Sequence, residues 1–252
     1  MITKTDQSIY GCVAIELYSI THDEKYKKFA DQIFLMLEAI DKKNGLICYR
    51  ENQEQNVDLL GFVCPFLSEY GTSFNNTNAI SLNSKLIDDY AKYGVDETTG
   101  IPSQAYNTIT KVKVGLSNWG RGMSWYALAL TFTDKSSLND NTKESIKKFT
   151  NIIQLLNKNY LFTQFPGKSK DIDMSTTVPL LFYLYKENKL KINQSQFCKL
   201  LSNFVNKDGC IVFNSPSISI ESKSGPNMCN DMTQGVLIYF FDELKNQKNE
   251  RK

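Results

Sequence analysis

Residues 58–70 read DLLGFVCPFLSEY, and they are the strongest evidence for how this chain folds. The stretch is long enough for a helix, and its apolar residues surround that helix instead of forming one stripe. A helix of this kind has to be buried on all sides. Pro65 lies inside the stretch and is expected to kink it. Three later stretches have the same character, at residues 124–132, 177–185 and 235–241.

A second kind of helix is amphipathic, with apolar residues at helical spacing on one face only. Thr21 with Glu24 predicts a capping box at the start of the first such helix, and Asn141 with Glu144 predicts a cap at a later one. The first helix carries Phe29, Ala30, Ile33, Phe34, Leu37 and Ile40 on that face. Residues 78–93, 146–156 and 194–205 repeat the pattern.

The two kinds of helix alternate, and similar turns join them. Asn44-Gly45, Thr99-Gly100 and Asp208-Gly209 each follow an amphipathic helix, and each glycine can take a positive φ. A short extended piece is expected after each of these turns. This order is an internal repeat of roughly 50 residues, and it predicts an all-α chain of the (α/α)6 toroid type built from helical hairpins. We expect a single domain over residues 1–244 and a frayed tail over residues 245–252.

Composition narrows the possible functions. The 252 residues include 29 basic and 27 acidic ones, a net charge of +2, so no basic surface for nucleic acid is expected. One histidine and six cysteines without a CxxC pair give no zinc motif, so we expect no metal and no cofactor. Free cysteines suit a reducing compartment, and no stretch is apolar enough for a membrane span or a signal peptide. These observations predict a cytoplasmic protein without a membrane partner.

Polar and aromatic residues lie at the predicted starts of the buried helices. They are Asp58 at the first helix, Trp119, Arg121 and Trp125 at the second, Asp173 at the third, and Asn230 and Asp231 at the last. If these helices all begin at one rim, their side chains meet in one opening. Aromatic rings can stack on a sugar, and an arginine fork pairs with a carboxylate. The pattern therefore indicates a site for an acidic oligosaccharide.

Each of these residues also has a purely structural interpretation. Asp58 can cap its helix, and Asn230 with Asp231 can cap the last helix. The two tryptophans can be core aromatics, and Arg121 can bind the carbonyl groups of a neighbouring loop. The residues alone leave two alternatives open, an acidic-sugar site or a packed helix entrance without a ligand.

At these positions the chain resembles the unsaturated glucuronyl and rhamnogalacturonyl hydrolases, glycoside hydrolase families 88 and 105. In those enzymes an aspartate opens a helix that continues to Pro-Phe-Leu and an aromatic residue, as in residues 58–70. The matching later motifs are Trp-Gly-Arg-Gly-x-x-Trp at residues 119–125, an acidic residue with serine at Asp173-Met174-Ser175, and Asn-Asp-x-x-x-Gly-Val at residues 230–236. Their order and approximate spacing agree over nearly the whole chain.

The resemblance implies a hydrolysis that begins with hydration. The substrate is an oligosaccharide left by a polysaccharide lyase, with a C4=C5 double bond in its terminal uronic acid. A family aspartate protonates this vinyl ether at C4, water adds at C5, and the resulting hemiketal collapses and releases the next sugar. By motif position Asp58 matches this acid and base, and Arg121 matches an arginine near the sugar. Asp6 is the candidate for a second aspartate upstream.

The chain also departs from the family pattern. A family histidine in a His-Ala-aromatic triplet is replaced here by Gln104, which can hydrogen-bond a sugar but cannot relay a proton. Roughly nine helices are predicted, against about twelve in a complete (α/α)6 toroid, so about the first three are expected to be missing. A toroid open on one side would expose apolar surface that self-association could cover.

Three functions remain open on the sequence alone. The first is a glycoside hydrolase acting on unsaturated uronyl oligosaccharides. The second is a catalytically inactive relative that binds carbohydrate or has a structural role in polysaccharide metabolism, which the Gln104 substitution favours. The third is another activity of α/α toroids, such as a different glycosidase, a lyase or a sugar epimerase.

Overall fold

Helices make up most of the chain, and a small antiparallel sheet lies among them. The computed structural model describes residues 4–44, 47–48, 53–168, 170–211 and 231–250. The helices are α1 (Tyr10–Thr21), α2 (Glu24–Asn44), α3 (Val57–Ser73), α4 (Thr77–Tyr93), α5 (Gly120–Phe132), α6 (Asp140–Leu156), α7 (Met174–Lys186), α8 (Gln194–Leu201) and α9 (Asp231–Glu250), with 3-10 helices at Thr5–Ile9 and Lys135–Ser137. The strands are β1 (Glu54–Asn56), β2 (Ser103–Asn107) and β3 (Lys113–Ser117), paired in that order.

The chain divides into two compact units. The first unit contains residues 1–117 and 125–149, and the second contains residues 118–124 and 150–252. In the first unit α1 packs against α2 and α3, and α3 packs against α4. In the second unit α9 packs against α7 and α8. The single domain over residues 1–244 and the frayed tail after it stay predictions, and α9 extends to Glu250.

The two predicted kinds of helix are both present. In α3, 11 of 17 residues are buried, and in α7 the buried residues number 11 of 13. The helix α3 continues through Pro65 to Ser73. By contrast α4 buries one face, which carries Ala79, Leu82, Asn83, Ser84, Leu86, Ile87 and Tyr90. The prediction that helices buried on all sides accompany amphipathic helices is therefore confirmed for these elements. It is wrong for residues 235–241 of α9, where Leu237 and Phe240 are buried but Ile238 and Tyr239 are exposed.

The glycine turns are confirmed at two of their three predicted positions. Gly100 has φ of +73° and Gly209 has φ of +78°, in the left-handed region that favours glycine. Gly45 lies outside the described residues. At Gly100 the close approach of a second element adds to the backbone requirement, because a Cβ there would lie 2.6 Å from the Ser145 carbonyl oxygen of α6.

Several element ends differ from the prediction. Asn139, not Asn141, caps α6, because its Oδ1 accepts a hydrogen bond from the backbone N–H of Thr142 at 2.9 Å. The capping box of Thr21 with Glu24 is also wrong, since Thr21 donates instead to the Leu17 carbonyl of α1. The helix α8 ends at residue 201 instead of residue 205. At the starts of α2 and α6 two polar residues near the helix end could serve as cap, and sequence spacing does not separate them.

An extended segment after the Gly100 turn is predicted and is present as β2, but the pairing of three strands into a sheet is not predicted. Strand β1 has three residues and pairs with β2 so that Gln55 lies opposite Tyr106 and Asn56 opposite Ala105. A strand this short shows too few residues for an alternating pattern to be recognised. The sheet matters for the site because β1 runs directly into the first turn of α3.

One carboxyl group in the α1–α3 contact gives the fold a pH dependence. Glu69 of α3 is half-buried and accepts a hydrogen bond from the Cys12 thiol of α1. Burial, with the nearby charge of Glu16, raises the pKa of Glu69 above its ordinary value, and the Cys12 hydrogen bond opposes this in part. A raised folded-state pKa means that the folded protein binds this proton more tightly than the unfolded chain does, so ionisation of Glu69 costs stability.

Glu69→Gln is therefore expected to be more stable than the wild type at neutral pH. The gain is expected to be below about 1 kcal/mol, because solvent screens a half-buried group, and to vanish below the ordinary pKa of glutamate. Urea unfolding at a series of pH values measures this gain in the free energy of unfolding. Glu144→Gln, at a side chain that is 59% exposed, is the control and should show no such trend. An equal effect of both variants at every pH would contradict the role of Glu69.

Candidate active site

Asp58 lies in the first turn of α3, immediately after the sheet. The N-cap of that helix is Asn56, with φ of −86° and ψ of 146°, so Asp58 is not the capping residue. A carboxylate in this turn is nevertheless favoured by the helix dipole. The Asp58 side chain is half-buried, and its charge acts on Tyr90, whose pKa is raised by burial first and by Asp58 second. Asp58 is thus a carboxylate in a partly buried, aromatic environment.

Trp125 packs against the turn of α3 that follows Asp58. The indole ring lies with its centroid 4.4 Å from that of Phe62, and a Cβ on Gly61 would lie 2.2 Å from its Cε3 atom. Only glycine at position 61 leaves room for the indole. Trp125 is 7% exposed, and its Nε1 atom is buried without a hydrogen-bond partner among the described residues. The ring is therefore packed in the first unit and keeps one unused donor.

A group of buried polar side chains that the sequence analysis missed supports the start of α3. The Tyr106 hydroxyl of β2 donates to Gln55 Oε1 of β1 at 2.5 Å, and Tyr90 of α4 donates to the Ser103 carbonyl oxygen at 2.7 Å. Tyr90 and Tyr106 stack edge to face at 5.6 Å. Gln55 is fully buried, three residues before Asp58. The aromatic residue of the family triplet, Tyr106, was the available signal for this group.

Gln104, at the position of the family histidine, lies in β2. Its Oε1 atom accepts a hydrogen bond from the Leu116 N–H of β3 at 3.4 Å. Its side chain also lies over Gly115, where a Cβ would come within 2.4 Å of Oε1. The amide oxygen of Gln104 is therefore engaged within its own β-hairpin.

Asp6, the candidate second carboxylate, lies in the 3-10 helix Thr5–Ile9. That helix packs against α1 and α3. Asp6 is half-buried, and its Oδ1 atom is buried. Asp6 thus belongs to the same unit as Asp58 and to an element that contacts the Asp58 helix.

In the second unit the structure brings together three of the predicted site residues. The Arg121 guanidinium carbon lies 4.9 Å from the centroid of the Trp119 ring, within the range of a cation–π interaction. Asp173 is 1% exposed, and the positive charge of Arg121 acts on its carboxylate. Burial raises the pKa of Asp173, while hydrogen bonds from Ser175 and Thr176 and the charge of Arg121 lower it. Trp119 is 2% exposed, so the face covered by Arg121 is not an open sugar platform.

The last pair of predicted residues is only partly described. Asp231 is the first residue of α9 and is exposed. Asn230 lies outside the described residues.

The structure therefore assembles the predicted residues in two groups. One group, in the first unit, contains Asp58 and Trp125 at α3, with Asp6 on an adjoining element. The other, in the second unit, contains Trp119, Arg121 and Asp173. The expectation that Asp58, Arg121 and Asp231 face one cleft stays a prediction.

Within the described ranges no group of three or more His, Cys, Asp or Glu side chains is placed to hold a metal ion. In the same ranges no helix combines the length and the apolar character that crossing a bilayer requires.

Comparisons with solved structures reveal the fold. A family 105 glycoside hydrolase from C. acetobutylicum ATCC 824 is 20% identical, covers 97% of this chain and 80% of its own, and gives a TM-score of 0.66. A family 88 glycosyl hydrolase from Bacteroides vulgatus is 15% identical over 96% of this chain and 74% of its own, with a TM-score of 0.69. A GH76 α-mannanase from Bacteroides thetaiotaomicron is 10% identical over 98% of this chain and 70% of its own, with a TM-score of 0.61.

These similarities confirm the predicted fold class, an all-α chain of the (α/α) toroid type with a small sheet in addition. At such low identities these similarities establish only the fold. The mannanase is an example of a different activity on the same fold. No curated protein matches the chain significantly.

The family is established by a sequence model. The model described as Glycosyl Hydrolase Family 88 matches residues 2–160. This range is more than half of the 252 residues, and it includes Asp6, Asp58 and the motif of residues 119–125. The chain therefore belongs to Glycosyl Hydrolase Family 88, as its resemblance to the unsaturated uronyl hydrolases predicts.

Proposed function

We propose that the protein is a glycoside hydrolase acting on unsaturated uronyl oligosaccharides, with Asp58 as its acid and base. The observation that carries this proposal is the half-buried carboxylate of Asp58 in the first turn of α3, within the part of the chain that matches the family. A carboxyl group in a partly apolar environment is suited to give and take a proton. Tyr90, on which the Asp58 charge acts, and Phe62, one turn further along α3, contribute to that environment.

The proposed reaction consumes one water molecule and needs no cofactor. The Asp58 carboxyl donates its proton to C4 of the C4=C5 double bond, and the positive charge that develops at C5 is shared with the ring oxygen. Water adds to C5, and its proton returns to the Asp58 carboxylate. The resulting hemiketal opens to a ketone at C5, and the hemiacetal left at C1 releases the next sugar with its hydroxyl group restored.

Arg121 is proposed to bind the carboxylate of the uronic acid. Its guanidinium has five N–H donors in a planar fork, so an interaction with Asp173 leaves donors for a substrate carboxylate. Stacking on Trp119 limits the orientation of this fork. Trp119 would then support the cation instead of contacting the sugar. The unused Trp125 Nε1–H is proposed as a donor to a substrate oxygen, and Asp6 as the second carboxylate.

A second candidate function is binding of acidic carbohydrate without catalysis. The observation that favours it is Gln104, which replaces the family histidine and whose amide oxygen accepts a hydrogen bond from Leu116 of the same hairpin. If the reaction requires a proton relay at that position, the chain would bind its substrate without turning it over.

The ultraviolet absorbance of the conjugated double bond tests the proposal. Unsaturated disaccharides prepared with lyases, one with an amino sugar and one with rhamnose next to the uronide, are incubated with the full chain. We expect the absorbance of at least one to fall at a rate proportional to enzyme concentration. Saturated disaccharides of the same composition are the control and should not be cleaved.

Two other outcomes would contradict the proposal. If neither absorbance falls but the saturated acidic disaccharide binds in calorimetry, the protein is a binding relative. If no absorbance falls and no acidic disaccharide binds, but neutral mannan oligosaccharides are cleaved, the protein has a different glycosidase activity found on the α/α toroid fold.

A further inference from the structure

The start of α7 is built around a buried carboxylate that its capping role alone does not explain. Asp173 is the N-cap of α7, and its Oδ1 atom accepts hydrogen bonds from the Ser175 N–H at 2.9 Å and the Ser175 hydroxyl at 2.7 Å. Its Oδ2 atom accepts from the Thr176 hydroxyl at 3.1 Å. A neutral asparagine or serine caps a helix about equally well. Because Asp173 is only 1% exposed, a charge there is costly unless an opposite charge compensates it.

The first turns of α5 and α7 are packed directly against each other in the second unit. A Cβ on Gly120 would lie 2.4 Å from the Thr176 Oγ1 atom, and the Ser124 hydroxyl lies 3.3 Å from the Thr176 carbonyl oxygen and donates to it. The connecting segment is tied to both turns, since the Gly120 N–H donates to the Gln164 carbonyl at 2.8 Å and the Asp173 N–H to the Phe162 carbonyl at 3.0 Å. These contacts therefore fix the position of Asp173 relative to α5.

Arg121, in the first turn of α5, is the residue whose charge acts on Asp173. It follows Gly120 and is half-buried. Its guanidinium also lies 4.9 Å from the centroid of the buried Trp119 ring. A carboxylate and an aromatic face together restrict a side chain that has several rotatable bonds, so less entropy is lost when a ligand binds.

We propose that Asp173 is a positioning residue, which holds the Arg121 guanidinium over the Trp119 ring and so presents it to the carboxylate of the substrate. This assignment places Asp173 behind Arg121 instead of in contact with the sugar. Its consequence for substrate binding rests on the function proposed above, whereas its consequence for Arg121 itself does not.

Asp173→Asn removes the charge and keeps an oxygen that can cap α7. In the first experiment the Arg121 Nε–H signal, assigned by its loss in Arg121→Lys, is followed by nuclear magnetic resonance. We expect its hydrogen exchange to be at least about tenfold faster in Asp173→Asn, because a charge-assisted interaction is lost. Asp134→Asn is the matched control, since Asp134 also caps a helix by accepting from the N–H and hydroxyl of a serine two residues on, but is exposed.

The second experiment measures KM and kcat on the unsaturated disaccharide and on its uronate methyl ester. For the free acid, Asp173→Asn is expected to raise KM by about 10- to 100-fold with kcat changed by less than about threefold. The ester lacks the charge that Arg121 binds, so its KM should change little. In an Arg121→Gln background, Asp173→Asn should have no further effect on KM.

Unchanged Arg121 exchange in a folded Asp173→Asn protein overturns the proposal, as does an equal rise in KM for acid and ester. If the wild type cleaves no unsaturated uronide but the exchange result holds, the proposed substrate is wrong and the positioning of Arg121 stands. A melting temperature of Asp173→Asn close to that of the wild type would show that the structural change is local.

Discussion

Asp58→Asn is expected to lower kcat on an unsaturated uronyl disaccharide by about 10² to 10⁴-fold, the range typical of removing a general acid. Asparagine is nearly isosteric with aspartate but cannot donate an acidic proton to C4 or take one from water. Because the loss concerns the transition state, KM should change far less than kcat. Initial rates from the fall in ultraviolet absorbance measure both constants.

The fold should tolerate this change. Asn56, not Asp58, is the N-cap residue of α3, and loss of the favourable Asp58 charge from the first turn is expected to cost about 0.3–1 kcal/mol. Asp140→Asn is the matched control, because Asp140 also lies in the first turn of a helix and its side chain is fully exposed. A kcat for Asp58→Asn within threefold of that of the control would rule out Asp58 as the acid. Asp6 would then be the candidate acid.

Gly100→Ala is expected to destabilise the protein by about 2–4 kcal/mol. Two costs add. Alanine is strained at the observed φ of +73°, and its Cβ would lie 2.6 Å from the Ser145 carbonyl oxygen and 2.7 Å from the Phe149 backbone nitrogen. These atoms belong to the backbone of α6 and cannot turn away as a side chain can. Urea unfolding followed by circular dichroism measures the difference in free energy of unfolding.

Gly209→Ala separates the two costs. Gly209 has nearly the same φ, +78°, but a Cβ there would meet no atom of the described residues within 4 Å. Backbone strain alone should cost about 1–2 kcal/mol. If both substitutions destabilise the protein equally, the contact of the Gly100 turn with α6 contributes nothing, and the tight packing of that turn is refuted.

The helical repeat could be predicted because its physical cause is local. A helix buried on all sides carries apolar residues on every face instead of one stripe, and α3 and α7 show this in their sequences as well as in their burial. The turns at Gly100 and Gly209 could be predicted for the same reason, since only glycine adopts a positive φ without strain. Cap residues could not, because several nearby polar groups could form the same hydrogen bonds. The sheet could not, because its strands are too short to show an alternating pattern.

The sequence suggests which residues to propose for the candidate site but not the interactions they make. Asp58, Arg121 and Asp173 were identified from their positions at helix starts. Their partners were not, because Tyr90 is 32 residues and Trp125 is 67 residues from Asp58, and nothing in the spacing indicates the contacts they make.

Trp119 and Trp125 show the difference most clearly. The sequence left open whether these rings form walls for a sugar or part of the core, because an aromatic side chain at a helix start suits both. The tertiary structure decides that both are buried, Trp119 under the Arg121 guanidinium and Trp125 against Gly61 and Phe62.

The sequence by itself determined the all-α class, the two kinds of helix and the residue types at the helix starts, since periodicity and backbone propensity act between near neighbours. Only the tertiary structure decided which carboxylate acts on which cation and which rings are covered. Those interactions depend on distances between segments that are remote along the chain, and only packing brings such segments together.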